Sequence, residues 1–166
     1  MNTQVNIIAA VIIAIIFLPI YFLNKTGYTY LKKLTKKFND IAANNNLKIN
    51  QKECWANTCI GIDTTQHKLL YKRGLENNDN IIVDLEHINS CELVKSVDQR
   101  RVDKVFVHQL VTLDLKLTVK KSKVPILLNF YDVANNYPED FELKRIEKWL
   151  EIIKANLSPE RIKKVA

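Results

Sequence analysis

Between Val105 and Lys120 the chain alternates with a period of two. Val105, Val107, Val111, Leu113, Leu115, Leu117 and Val119 share one parity, and Asp114, Lys116, Thr118 and Lys120 the other. A strand points successive side chains to opposite faces, so this pattern predicts one face on a core and one in water. That is the mark of an antiparallel sheet rather than a parallel one covered on both sides. The run is long against the usual strand of about 5–6 residues. His108-Gln109 interrupts it, which predicts a bulge or bend.

The same period organises what precedes it. Cys54, Ala56, Thr58, Ile60 and Ile62 alternate with Trp55, Asn57, Cys59, Gly61 and Asp63, which reads as a first strand. Asp63-Thr64-Thr65-Gln66 is turn-like and leads to a second strand over 67–73. Gly74 and the polar run 76–80 mark a loop. Short strands follow at 81–85 and 90–95, with a half-turn at 86–89 between them. Lys121-Ser122-Lys123 turns into a strand over 124–131, with Pro125 at its start. After a loop at 132–140, a helix is predicted over about 139–156, opened by Pro138-Glu139-Asp140. Leu143, Ile146, Leu150, Ile153 and Leu157 form its apolar stripe, with Trp149 beside it. A sheet with one apolar face needs a cover, and this helix supplies one. The fold class is α+β: six or seven antiparallel strands with a C-terminal capping helix.

The N-terminus is of another kind. No charged side chain precedes Lys25, and residues 5–23 are apolar apart from Asn6 and Pro19. As a helix this stretch spans about 28 Å, close to the roughly 30 Å of a hydrocarbon core. It lacks the basic start and small-residue cleavage site of a signal peptide. The expectation is an N-terminal transmembrane helix, residues 1–24. Residues 1–6 carry no Lys or Arg, whereas 25–37 carry Lys25, Lys32, Lys33, Lys36 and Lys37. The positive-inside rule then makes the chain a single-pass protein of the inner, cytoplasmic membrane, with its C-terminal domain in the cytoplasm. An odd number of cysteines agrees with that reducing compartment.

Residues 25–46 read as a basic juxtamembrane helix and linker. Leu31, Leu34, Phe38 and Ile41 fall on one stripe at helical period, with Lys32, Lys33, Lys36 and Lys37 on the other side. Beside an anionic leaflet each such Lys contributes about 1 kcal/mol of attraction. A positive flank is also what orients any membrane helix, so these lysines fit either role. Asn44-Asn45-Asn46 ends the helix. The formal charge of the whole chain is +7, yet beyond residue 40 basic side chains exceed acidic ones by only three. Nucleic acid demands clustered phosphate contacts, so no nucleic-acid partner is expected.

The globular part, residues 47–166, resembles the pleckstrin-homology-like group, in particular small bacterial PH-like domains. The residues that carry the resemblance are CIGID with HKLLYKRG, NIIVDLEHINSCELV, VTLDLKLTVKK, ILLNFYD and the helix FELKRIEKWLEII with Trp149. The resemblance covers about 47–157. It implies a partly open β-barrel plugged at one end by the helix, and binding rather than catalysis. Phosphoinositide-binding members carry a basic cluster at the first hairpin. Here the turn at 63–66 is almost bare, and only Lys68, Lys72 and Arg73 follow.

Reactive chemistry has few candidates. Cys54, Cys59, His87 and Cys91 are the best metal set, but structural zinc wants closer pairs, and residues five apart on one strand face opposite ways. Buried free thiols are the expectation, with neither metal nor cofactor. His67, His87 and His108 lack a catalytic motif around them. Arg100-Arg101 with Lys104, and Lys120-Lys121-Lys123, are basic runs at strand ends, read as solvated turns or contacts to an acidic partner. The chain therefore reads as no enzyme. It is expected to be a membrane-tethered binding or scaffolding module, with the lipid bilayer and a protein of a membrane complex as partners. Its candidate contact residues are Lys32, Lys33, Lys36, Lys37, Lys68, Lys72, Arg73, Arg100 and Arg101. The alternatives are an anionic-lipid sensor using the basic neck, and a small Cys/His hydrolase.

Overall fold

The period-two segment becomes the central strand of a three-stranded sheet, and four earlier strands make a second sheet. The computed structural model describes residues 3–76, 80–102, 105–134 and 141–157, and side chains within these outside 3–10, 20–27, 100–102 and 105–108. A long helix α1 (Thr3–Asn44) precedes β1 (Gln51–Trp55), β2 (Thr58–Asp63), β3 (Lys68–Arg73) and β4 (Asn80–Asp84). One 3₁₀ turn at Leu85–His87 leads to β5 (Ile88–Val102), β6 (Val105–Val119), β7 (Ile126–Asp132) and the closing helix α2 (Glu142–Asn156). The sheets run β1-β2-β3-β4 and β5-β6-β7, and every neighbouring pair is antiparallel. The α+β expectation and the strand number agree with this arrangement.

Between the sheets lies the main core. Ile60, Ile62, Leu69 and Val83 of the first sheet meet Leu113, Leu115, Leu117, Leu128 and Phe130 of the second, and α2 closes it with Ile146, Trp149 and Ile153. The bulge in β6 falls a little later than His108-Gln109. Ser96 pairs with Thr112 and Val97 with Leu110, so Val111 is the extra residue. As a result Leu110 rather than Val111 packs against the core.

Residues 54–63 are not one strand. The chain turns at Ala56-Asn57, and Cys54 pairs with Cys59, Trp55 with Thr58. A two-residue turn reflects the parity, so Trp55 rather than Cys54 shares the core face with Ile60 and Ile62. Ala56 takes φ 41° to make the turn. Cys54 and Cys59 thereby fall side by side on the other face and form a disulfide. This corrects the expectation of free thiols on opposite faces, and it removes the support that an odd cysteine count lent to a reducing compartment. Cys91 alone remains a free cysteine.

That other face is covered by α1. Leu34, Phe38 and Ala42 pack with Leu47, Cys59 and Leu70 in a second core, joined by Leu31, Ile41, Ile49 and Cys54. All six residues of β2 are buried, because it has helix on one side and the opposite sheet on the other. Gly61 makes the close approach practicable. A Cβ there would lie 2.8 Å from Ile49 Cγ2, 2.9 Å from Phe38 Cζ and 3.2 Å from the Gln51 carbonyl oxygen. The stripe read from the neck is thus real, and its partner is the protein's own sheet.

The N-terminal expectation does not hold. Instead of an anchor and a separate neck, α1 runs without a break through Pro19 to Asn44. Among the described residues no helix is long and apolar enough to cross a membrane. Described apolar side chains in the predicted span run only from 11 to 19. That is about 14 Å of helix, under half of a hydrocarbon core. Positions 5–10 and 20–23 lie outside the described side chains. The transmembrane helix, the single-pass topology and the inner-membrane, cytoplasm-facing localisation deduced from them are therefore not upheld. Val11, Ile12, Ile13, Ile15, Ile16, Phe17 and Leu18 stand 51–67% exposed, and the described residues give them no cover.

The turn after β2 is held by a carboxylate. Asp63, fully buried, accepts hydrogen bonds from the backbone N–H of Lys48 at 2.7 Å and of Thr65 and Gln66 at 2.9 Å. Burial alone raises its pKa, but the three donors outweigh that, and the carboxyl titrates below its ordinary 3.8. A depressed folded-state pKa stabilises the fold above the unfolded value, and that stabilisation is lost as pH falls through the folded one. Asp63→Ala is expected to cost about 1–3 kcal/mol at pH 7, the penalty of leaving buried donors unpaired. Urea unfolding of the variant should lose part of the wild type's decline below pH 4. An identical slope in both proteins would exclude the assignment.

Candidate functional site

Two polar clusters join elements remote in sequence. In the first, Asn129 on β7 is the hub. Its carbonyl oxygen accepts from Tyr71 Oη at 2.6 Å, and its side-chain oxygen accepts from Arg73 Nη1 at 2.5 Å. Its Nδ2 donates to Asp114 Oδ1 at 2.8 Å and to the Tyr131 carbonyl at 3.0 Å. The cluster ties β3 of one sheet to β6 and β7 of the other. Burial pushes the Tyr71 phenol up to about 12, so it stays a neutral donor.

In the second cluster, Glu53 on β1 accepts from three groups of α2. Arg145 Nε lies at 2.8 Å, Lys148 Nζ at 2.9 Å and Trp149 Nε1 at 3.1 Å. Burial works against the Glu53 charge, but these donors prevail and hold its pKa below the ordinary value. The Arg145 guanidinium also stacks on Trp55, 4.8 Å from the ring centre, and Trp55 lies against Phe130 at 5.1 Å. Trp55 Nε1 is buried without a hydrogen-bond partner among the described residues. Both clusters fasten elements remote in the sequence through ion pairs and hydrogen bonds.

The nine basic residues singled out above do not converge. Lys32, Lys33 and Lys36 are exposed on α1, where with Tyr28, Thr29, Leu31, Thr35 and Asn39 they line a groove. Lys37 turns inward and donates to the Leu75 carbonyl. Lys72 is fully buried and donates to the Glu76 carbonyl at 2.6 Å. Arg73 is committed to Asn129, and Lys68 Nζ donates to Gln66 Oε1 at 3.4 Å. Arg100 and Arg101 pair through their backbone with Val107 and Phe106 in the β5–β6 hairpin, and their side chains lie outside the described ones. A single basic pocket at the first hairpin is thus not assembled from these residues.

Thiol and imidazole chemistry is scattered as well. Two cysteines are spent in the disulfide. Burial pushes the Cys91 thiol up to about 12, the opposite of an activated nucleophile. His87 lies on Asp84, 3.2 Å from Nδ1 to Oδ2, on an exposed turn. Among the described residues no three His, Cys, Asp or Glu side chains gather as a metal site.

The feature most suited to meeting a partner is backbone. β5 is a strand of fifteen residues at one edge of its sheet, and among the described residues β6 is its strand neighbour. β7 pairs with β6 only over Thr112–Leu117, so the β5–β6 hairpin runs on as a two-stranded ribbon beyond it. From Val94 to Val97 both faces of β5 are exposed, which marks where the strand leaves the body. Val94 and Val97 are 39% and 40% exposed. Sequence reasoning found only residues 90–95 of this strand, not its full length from Ile88 to Val102 and not its openness, because an edge is defined by the neighbour it lacks. The hubs Glu53, Asn129 and Arg145 carried no local signal at all.

No family model, curated protein or solved structure matches this chain.

Proposed function

We propose that the chain is a non-enzymatic, PH-like binding module that takes an extended segment of a protein partner along the free edge of β5. The observation that carries this reading is the length and openness of that edge. Unpaired N–H and C=O groups in a row are a template for strand addition, and natural edges of such length are otherwise shortened or covered. Seven antiparallel strands with a helix that closes the core between the two sheets support the same reading. The anionic-lipid alternative draws less support, because the apolar stripe of the neck is spent on the sheet.

Adjacent residues of a strand send their N–H groups to opposite sides. Of Val94→Pro and Lys95→Pro, one therefore breaks a bond to β6 and the other only blocks the free edge. A photo-crosslinking residue at Val97 should capture one discrete protein from a lysate of the source cells, and the edge-blocking Pro variant, folded by circular dichroism, should abolish the adduct. The same residue at Val124, 74% exposed on a turn, should capture nothing. Equal capture from both positions, or an adduct indifferent to the Pro, would overturn the reading.

A further inference from the structure

The Cys54–Cys59 disulfide lies at the tip of the β1–β2 hairpin, inside the interface with α1. Cys59 is fully buried in that second core and Cys54 packs against it. β1 has five residues and, among the described residues, a single strand neighbour, β2. It nevertheless carries ties to both helices. Lys52 Nζ donates to Asn39 Oδ1 of α1 at 2.9 Å, and Glu53 receives the donors of α2. A short edge strand under such demands depends on whatever fixes it to its neighbour, and the disulfide does so at its end.

We propose that this disulfide is a redox switch that sets whether the C-terminal half of α1 stays docked. A dithiol reductant attacks one sulfur and passes through a mixed disulfide. It ends as its own cyclic disulfide, having delivered two electrons and two protons to leave Cys54 and Cys59 as thiols. The hairpin then loses its cross-link and β1 frays from its tip. With β1 go the Lys52–Asn39 tie and the strand that pairs with Gly61, the residue Phe38 closely approaches. α1 lifts, and Leu34, Phe38 and Ala42 are uncovered together with Leu70. Trp55 and the ties from Glu53 to α2 loosen with β1, while Leu113, Leu115, Leu117 and Leu128 of the β5-β6-β7 half of the main core keep their own strand pairing. Strand addition at β5 is not required for any of this.

The test is hydrogen exchange by mass spectrometry on the full chain, oxidised and then reduced with dithiothreitol. Alkylation before reduction should label neither Cys54 nor Cys59, and after reduction both. Amides over 34–44 should exchange at least tenfold faster in the reduced chain, while those over 113–117 in β6 stay within twofold. The double variant Cys54→Ala with Cys59→Ala should match the reduced wild type and ignore dithiothreitol. Should that variant not fold, the wild-type pair of measurements decides alone. Unchanged exchange over 34–44, equal acceleration in β6, or free thiols in the air-oxidised chain would each overturn the proposal.

Discussion

Trp149→Ala is expected to be among the most damaging single substitutions in the chain, lowering the unfolding free energy by about 3–5 kcal/mol. Trp149 is 1% exposed in the main core and belongs to α2, the element that closes the space between the sheets. Its removal leaves a cavity that surrounding side chains fill only in part. It also deletes the donor to Glu53, held at 3.1 Å, on the strand that shares no sheet with β5–β7. Trp149→Phe separates the two contributions. It retains most of the volume, and loses the hydrogen bond, which is worth about 1 kcal/mol or somewhat more toward a charged acceptor. Urea unfolding followed by far-ultraviolet dichroism checks both. A loss below about 1 kcal/mol for the Ala variant would mean that α2 does not close the core as described.

The second large effect is expected beneath α1. Phe38→Ala empties a fully buried site and should cost about 3–5 kcal/mol, whereas Gly61→Ala overfills its neighbour and should cost about 1–3 kcal/mol. The two are in contact, so they should not add. With Phe38 truncated, one of the three atoms that a Cβ at position 61 would strike is gone, leaving Ile49 Cγ2 and the Gln51 oxygen. The double variant should therefore be more stable than the two separate losses require, by about 0.5–3 kcal/mol of coupling. Strict additivity would show that α1 does not rest on Gly61.

What the sequence disclosed is what local period encodes. β6 and α2 were legible because their stripes repeat every two residues or every three to four. Leu113, Leu115, Leu117, Ile146 and Ile153 are buried as expected, whereas Leu110 takes the place of Val111 and Leu143, Leu150 and Leu157 are only partly buried. The neck stripe was equally legible, but an apolar stripe announces that something covers it and not what. Leu34 and Phe38 turn out to face Gly61 and Leu70. The β1–β2 turn escaped because Cys54 to Asp63 keeps an unbroken numerical alternation, and because Ala56 supplies the left-handed residue where Gly or Asn is the usual sign. The disulfide escaped with it. The basic candidates were grouped by closeness in the chain, yet Lys36 and Lys37 look opposite ways, one to solvent and one to the Leu75 carbonyl. The open edge of β5 and the hubs at Glu53 and Asn129 depend on pairings across tens of residues, which no local pattern records.

That α1 roofs the first sheet determines where a self-sufficient fragment begins. A protein cut at Leu47, at the start of the strand-rich part, would bare Leu70, Cys59 and Ile49 to water along the whole back of β2 and β3. Such a product should self-associate through that greasy back. The shortest piece with a sealed interior starts near Tyr28, and the helix from there to Asn44 belongs to the body as much as any strand does.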